Sequence, residues 1–74
     1  MDVLVFGRNV RNLRYRRGLS PREMAVKLEL TEELFLLLES GVLTEEMDIR
    51  ILEHLYFDFG VSLDAMFMEE PFFP

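Results

Sequence analysis

The feature that most constrains this chain is a pair of short helical patterns that meet almost without a linker. The first opens at Ser20, followed by proline, and has Glu23 three residues later, which together form a capping box with proline at the first helical position. The second opens with Thr31 as a hydroxyl cap and closes at Gly41, which tolerates the positive φ found just past a helix end. Because only residues 29–31 separate the two patterns, the sequence predicts a helix-turn-helix.

Helical periodicity and capping residues predict five helices in one all-α domain of residues 1–68, followed by a short non-helical apolar tail, residues 69–74. We expect the helices to span residues 3–17, 21–28, 32–40, 45–58 and 63–67. Thr44 and Ser62 are the expected caps of the last two. The predicted core consists of Phe6, Val10, Leu13, Leu19, Met24, Ala25, Leu28, Leu30, Phe35, Leu38 and Leu52.

Several segments on either side of the two patterns carry a resemblance to a known family. They are Phe6-Gly7, Val10-Arg11-Asn12-Leu13-Arg14, Arg17-Gly18-Leu19-Ser20, Leu38-Glu39-Ser40-Gly41 and Gly60-Val61-Ser62-Leu63-Asp64. Together with the helix-turn-helix they cover roughly residues 6–67, and they resemble the Cro and phage-repressor family, the XRE-like group. The resemblance implies a compact five-helix repressor-like domain, usually dimeric, whose third helix enters the DNA major groove.

The third helix departs from that function in its side chains. At about 100° per residue, Phe35 and Leu38 fall on the inward side, and the opposite side carries Glu32, Glu33, Leu36, Leu37 and Ser40. Base readout uses Arg or Lys on guanine and Asn or Gln on adenine, and this side has none of these four types. The glutamates also repel phosphate and neutralise the positive end of the helix. One DNA contact stays open, because glutamate accepts a hydrogen bond from the cytosine amino group.

Two further positions weaken the expected DNA contacts. Glu29 stands at the turn position where the family usually has glycine, and Pro21 stands where many members carry a polar residue that contacts phosphate. Arg22 and Lys27 remain as candidate phosphate contacts, with plain surface charge as the alternative interpretation. With Ser40 they make three contacts, which would give only weak, salt-sensitive binding.

Arg14 and Glu39 match a basic–acidic pair that in the family ties the first helix to the end of the third. The resemblance therefore implies a structural ion pair. The alternative, in which Arg14 is free to contact a ligand, is disfavoured because the neighbouring Leu13 faces the core.

Charge is divided unevenly along the chain. Residues 1–28 hold seven basic and two acidic side chains, whereas residues 29–74 hold one basic and twelve acidic ones, for a net charge of −6. One interpretation gives the acidic part a basic partner, or the basic part an acidic one. The interpretation we prefer is that these are solvated faces of one domain that partly neutralise each other.

The residue types present argue against catalysis and against a bound cofactor. The chain has no cysteine, so it has neither a disulfide nor a thiolate metal site, and His54 is its only histidine. Adjacent carboxylates such as those of Glu45 and Glu46 diverge on a helix and do not converge on a substrate. No apolar run approaches the ~20 residues of a membrane span, and the N-terminus lacks a basic secretory start. We expect a cytoplasmic protein without a membrane partner, a cofactor or an enzymatic activity.

Apolar residues are more abundant than so short a chain needs for its core, at 50% of the sequence. The residues without a place in a monomer core are Leu36, Leu37, Phe57, Phe72 and Phe73. We expect a homodimer through helix 4, helix 5 or the tail, or a regulatory protein partner; alternatively the tail folds back over helix 4 or 5. Two functions stay open: a homodimeric repressor that binds operator DNA, and a repressor-like domain that has exchanged DNA for protein contacts. The third helix favours the second.

Overall fold

Five helices and no strand make up the fold that the computed structural model describes for residues 2–70. They are α1 (Val3–Arg16), α2 (Pro21–Lys27), α3 (Glu32–Glu39), α4 (Ile49–Phe59) and α5 (Leu63–Met66). The predicted all-α class is confirmed. All but α4 end one residue before the predicted boundary, because the predicted last residue is the C-cap in each case.

Capping side chains begin the first three helices. The Asp2 carboxylate accepts from the Leu4 backbone N–H at 3.0 Å and starts α1. The predicted capping box of α2 is present: the Glu23 N–H donates to Ser20 Oγ at 3.1 Å, and the Ser20 N–H donates to Glu23 Oε1 at 2.9 Å. Thr31 Oγ1 accepts from the Leu34 N–H at 3.1 Å and starts α3, as predicted. Local sequence therefore determines where these helices begin.

The start of α4 differs from the prediction. The sequence predicts a helix from residue 45 behind Thr44, whereas α4 begins at Ile49 behind Asp48. Asp48 Oδ1 accepts from the Arg50 N–H at 2.9 Å, and aspartate is a stronger N-cap than threonine. The preceding residues form a turn instead, in which the Met47 N–H donates to the Thr44 carbonyl at 3.1 Å.

Helices α2 and α3 pack against each other as a helix-turn-helix, joined by residues 28–31. Glu29 has a φ of 57°, the only positive φ at a residue other than glycine in the described part of the chain. The turn needs this conformation because the next residue, Leu30, donates its N–H back to the Ala25 carbonyl at 2.9 Å. A left-handed conformation costs a side chain-bearing residue about 1 kcal/mol. The turn therefore keeps its geometry without glycine, at some cost in stability.

The core is assembled from all five helices. Of the predicted core residues, Leu19, Leu30 and Leu52 are only partly buried, and these three predictions are wrong. Leu19 and Leu30 lie in connections at the edge of the core, and Leu52 lines an open groove. The other predicted residues are buried. Helices α4 and α5 and their connection supply further buried residues that the prediction did not include: Ile51, Leu55, Phe59, Val61 and Met66.

Helix α1 is held closely against α3 and α5. A Cβ at Gly7 would lie 2.5 Å from the Leu38 carbonyl oxygen and 2.8 Å from that of Glu39, so only glycine permits this approach of α1 to α3. The buried Asn9 amide donates from Nδ2 to the carbonyls of Met66 and Met68, both at 2.8 Å. The Gly7 contact fixes one side of α3 against α1, and the Asn9 hydrogen bonds hold α1 to the end of α5.

Two further predictions concern the aromatic tail and a membrane-spanning helix. Phe72 and Phe73, the predicted aromatic tail, lie outside the described residues. None of the helices in residues 2–70 combines the length and the apolar character that a bilayer-crossing segment requires.

Candidate interaction surface on α3

The outward side of α3 is a mixed acidic and apolar surface. Glu32 and Glu33 lie in the first turn of α3 and are exposed, as is Ser40 just past its end. Leu36, one turn after Glu32, keeps 46% of its surface in water. We call these residues the α3 outer face: Glu32, Glu33, Leu36 and Ser40. The structure places all of them where the helical periodicity predicts.

Leu37 does not belong to this surface. The sequence predicts that it points outward, but its side chain is half-buried. Beyond α3 the chain turns, and the Val42 N–H donates to the Leu37 carbonyl at 2.9 Å. Leu36 is therefore the apolar anchor of the α3 outer face.

Ser40 is poorly placed to contact a phosphate. Its hydroxyl donates to the Leu36 carbonyl at 2.9 Å, inside its own helix turn. A serine hydroxyl has one proton to donate, so a hydrogen bond from Ser40 to phosphate requires breaking this one. What Ser40 offers in the present geometry is an acceptor.

The two candidate phosphate contacts lie on α2. Arg22 Nε is 3.7 Å from Glu32 Oε2, and both side chains are exposed. Such a pair adds little to stability, but it places a carboxylate beside the guanidinium that a phosphate would need. Lys27, in the last turn of α2, is exposed. The surface that would face DNA therefore has Glu32 beside Arg22 and Glu33 close by.

Arg14 and Glu39 meet on the inward side. Arg14 Nε donates to Glu39 Oε2 at 2.7 Å and Nη2 donates to Oε1 at 3.3 Å, a bidentate pair with both side chains buried. The hydrogen bond to Glu39 raises the pKa of Arg14 above its ordinary value. Nη1 of the same guanidinium donates to the Leu19 carbonyl at 3.1 Å. The ion pair that the resemblance implies is thus present, and it joins α1 to the end of α3.

Other basic residues of α1, and its C-cap residue Arg17, contact the acidic part of the chain. Arg8 Nη2 lies 3.1 Å from Glu69 Oε2, and Arg11 Nε lies 3.7 Å from Glu39 Oε1. Arg17 Nη2 donates to the Phe59 carbonyl at 2.9 Å, with its guanidinium 5.2 Å from the centre of the Phe59 ring. The ion pairs of Arg8 and Arg11 favour the interpretation in which the charge division is partly neutralised within one domain.

His54 has a role that the sequence did not indicate. Its Nε2 lies 2.7 Å from Glu29 Oε2 and its Nδ1 lies 2.9 Å from Asp58 Oδ2, so the ring connects the helix-turn-helix to α4. The hydrogen bonds to Glu29 and then to Asp58 raise the pKa of His54 above its ordinary value. Asp58 lies four residues after His54, a helical spacing that is readable in sequence. The approach of Glu29 depends on the tertiary fold.

Two aromatic side chains stand out on α4. Phe57 keeps 77% of its surface in water, and its ring packs edge-on against that of Tyr56 with 5.0 Å between centres. The predicted absence of Phe57 from the monomer core agrees with this position.

Within residues 2–70, no three His, Asp or Glu side chains are grouped where they would hold a metal ion.

Comparison of the chain with models of protein families, with curated proteins and with solved structures found no match. The resemblance to the XRE-like group therefore remains an interpretation of the residues quoted above. The DNA binding and dimerisation that are usual in that group come to this chain only as proposals.

Proposed function

We propose that this chain is a non-catalytic interaction domain that binds a protein through the α3 outer face, where a helix-turn-helix ordinarily binds DNA. The observation that carries the proposal is the pair of exposed glutamates, Glu32 and Glu33, in the first turn of α3. The whole helix reads Glu-Glu-Leu-Phe-Leu-Leu-Leu-Glu and has no arginine, lysine, asparagine or glutamine. It therefore lacks the side chains that usually read guanine and adenine.

Electrostatic energies support the choice of protein over DNA. Each bidentate base contact contributes roughly 1–3 kcal/mol of discrimination, and specific binding exceeds non-specific binding by only about 4–10 kcal/mol. A carboxylate about 4 Å from a phosphate instead costs about 1 kcal/mol in water. Glu32 and Glu33 also neutralise the helix end that would attract phosphate. Together these terms are large enough to remove sequence recognition.

The chemistry of the α3 outer face indicates the kind of partner. Leu36 is an exposed apolar anchor, and the carboxylates of Glu32 and Glu33 precede it on the same side of the helix. A complementary partner offers an apolar pocket with arginine or lysine at its edge, because opposite charges across an interface favour association and register. The basic DNA-binding face of a related repressor has this chemistry, in which case the chain acts as an antirepressor.

The same proposal includes self-association through α4. Phe57 and Tyr56 form an exposed aromatic pair, and aromatic side chains are enriched in protein interfaces. Isologous contact would pair this patch with its copy. Sedimentation should therefore show a dimer that Phe57→Ser dissociates while the helical circular dichroism stays unchanged. A monomer of 8.8 kDa at tens of micromolar would remove self-association from the proposal.

The proposal is tested by DNA binding of charge variants. Fluorescence anisotropy with a random-sequence duplex at low salt should show weak binding by the wild-type chain. Glu32→Gln with Glu33→Gln should raise that affinity about thirtyfold, because two carboxylates of about 1 kcal/mol each no longer face phosphate. The matched control, Glu45→Gln with Glu53→Gln, removes the same charge away from α3. An equal gain in the control pair would show that net charge, and not the α3 outer face, limits DNA binding.

A second function, a homodimeric DNA-binding repressor, is favoured by one observation. Glu32, Glu33 and Leu36 are all exposed, so α3 is sterically free to approach a major groove. In that case the glutamates accept hydrogen bonds from cytosine amino groups, and their replacement by glutamine weakens binding. The sign of the effect of Glu32→Gln on DNA affinity therefore separates the two functions.

A further inference from the structure

A second surface lies away from the α3 outer face, where the starts of three helices meet. Val3, Ile49 and Leu63, the first residues of α1, α4 and α5, line a groove of about 410 Å³. Phe6, Leu43, Leu52 and Phe67 also line it. Asp48 is the one lining residue with a polar side chain, and the volume lies in the range of sites that bind a ligand or an anchoring side chain.

The rim of this groove is apolar and open to water. Ile49 keeps 67% of its surface exposed, and Leu43 and Leu63 are also exposed. Their neighbour Leu52, a predicted core residue, stays only half-buried because it faces the groove. A concave surface surrounded by contiguous exposed apolar side chains is more often a binding site than a surface without these features.

Charge around the groove is strongly acidic. Two arginines lie within two residues of a lining residue: Arg8, which is paired with Glu69, and Arg50, whose Nε is 3.1 Å from Asp48 Oδ2. Asp2 and Asp48 cap α1 and α4, so they neutralise the positive ends of those helices. Exposed acids that line the groove or lie within two residues of a lining residue are Asp2, Glu45, Glu46, Asp48, Glu53, Asp64 and Glu69.

This charge disfavours both occupants that the chain itself could supply. An isologous contact with a second copy would place the acidic rim against itself. The chain's own tail has Glu69, Glu70 and Pro71 before its aromatic residues, so docking it in the groove would bring both carboxylates to the acidic rim. Glu69 is also held at Arg8, which lies about 160° around α1 from the groove-lining Phe6.

We propose that the groove is the docking site for a cationic amphipathic segment of another protein. Apolar side chains of that segment enter between Ile49, Leu63 and Phe67, and its lysines or arginines face the acidic rim. The α3 outer face takes no part in this contact, so the site is independent of the function proposed above. Binding weakens with salt, because the charges at the rim are exposed.

The test uses two synthetic peptides with leucines at helical spacing, one with lysine and one with glutamate at the remaining positions. Anisotropy at low salt should show the lysine peptide binding at least about tenfold more tightly than the glutamate peptide. Ile49→Ser with Leu63→Ser should weaken the lysine peptide by about tenfold, because two apolar contacts are lost. Phe57→Ser and Leu36→Ser, which change exposed apolar residues elsewhere, should leave its affinity unchanged.

A second variant tests charge without altering the apolar wall. Asp48→Asn with Asp64→Asn keeps a good N-cap on α4 and should reduce the preference for the lysine peptide severalfold. Equal binding of the two peptides, or lysine-peptide binding that no groove variant weakens, overturns the proposal. It is also overturned if the Ile49 and Leu63 variant dissociates a dimer, which makes a second copy the occupant. Binding that appears only after residues 71–74 are removed assigns the groove to the chain's own tail.

Discussion

The two sides of α3 differ in how their polar groups are satisfied. On the inward side, Glu39 is buried and held by two hydrogen bonds from Arg14, beside the fully buried Phe35 and Leu38. On the outward side, Glu32 and Leu36 are exposed, and the one ion pair is the loose contact of Glu32 with Arg22. A buried pair is costly to break, whereas exposed charges contribute little to stability. One helix of eight residues thus has a side fixed by the fold and a side exposed to solvent, on which the proposed contact would be made.

The largest expected effect comes from breaking the inward pair. Arg14→Met leaves the Glu39 carboxylate buried with only the longer contact to Arg11, and should lower the free energy of unfolding by about 3–5 kcal/mol. Urea unfolding followed by circular dichroism measures this change. Glu32→Gln, on the outward side of the same helix, is the control and should stay within about 0.5 kcal/mol of wild type. Equal costs for the two variants would abolish the distinction between the sides.

The close approach of α1 to α3 predicts the next effect. Gly7→Ala places a methyl group against the carbonyls of Leu38 and Glu39, and overpacking of this kind costs about 1–3 kcal/mol. Gly18→Ala is the matched comparison, because Gly18 has a φ of 65° but no atom within 4 Å of a Cβ. Its cost should be near 1 kcal/mol, from backbone conformation alone. A Gly18→Ala variant less stable than Gly7→Ala would mean that α1 and α3 approach less closely than described.

The ion pairs of His54, on α4, are intermediate in burial between those on the two sides of α3, because the histidine ring is only partly exposed. Its pKa is raised in the folded protein, so the protonated ring contributes stability fully below its ordinary pKa of 6.5. That contribution is lost as pH rises through the higher folded pKa. The urea midpoint of unfolding should therefore decrease as pH rises from mildly acidic to mildly alkaline. His54→Gln should make this dependence of the midpoint on pH weaker. Glu23 and Asp48, with lowered pKa values, lose their contributions only at lower pH.

The smallest expected change in stability is at the exposed anchor. Leu36→Ser should shift the free energy of unfolding by no more than about 0.5 kcal/mol, because much of this side chain is in water in the folded state. Differential scanning calorimetry against wild type checks the value. A loss comparable to that of Gly7→Ala would place Leu36 in the fold and remove it from the α3 outer face.

How far the sequence predicts the structure depends on whether a feature is local. The starts of α2 and α3 follow from Ser20 and Thr31, since a cap and the helix it begins are neighbours in the chain. The start of α4 differs from the prediction because two capping residues, Thr44 and Asp48, compete within five positions and Asp48 caps the helix. The half-burial of Leu37 depends on tertiary packing, which the helical periodicity of α3 alone does not describe.

Sites made from distant segments were beyond prediction. The contact of His54 with Glu29 joins residues 25 positions apart, and no spacing rule relates them. The acidic-rimmed groove combines the first residues of α1, α4 and α5, each of which reads in sequence as an ordinary apolar helix residue. By contrast, Glu32 and Glu33 were predicted to face outward because both sides of α3 follow from one helical period.

The most direct test of whether the α3 outer face recognises a DNA sequence, or is available for protein contact instead, is the selection of binding sites from a random duplex pool. The chain would be incubated with the pool at low salt, and bound duplexes would be amplified and sequenced over several rounds. The account predicts no enriched sequence, with weak and salt-sensitive binding that Glu32→Gln with Glu33→Gln strengthens. A single enriched site, bound at nanomolar affinity and weakened by Glu32→Gln, would contradict it, because the glutamates would then be reading bases.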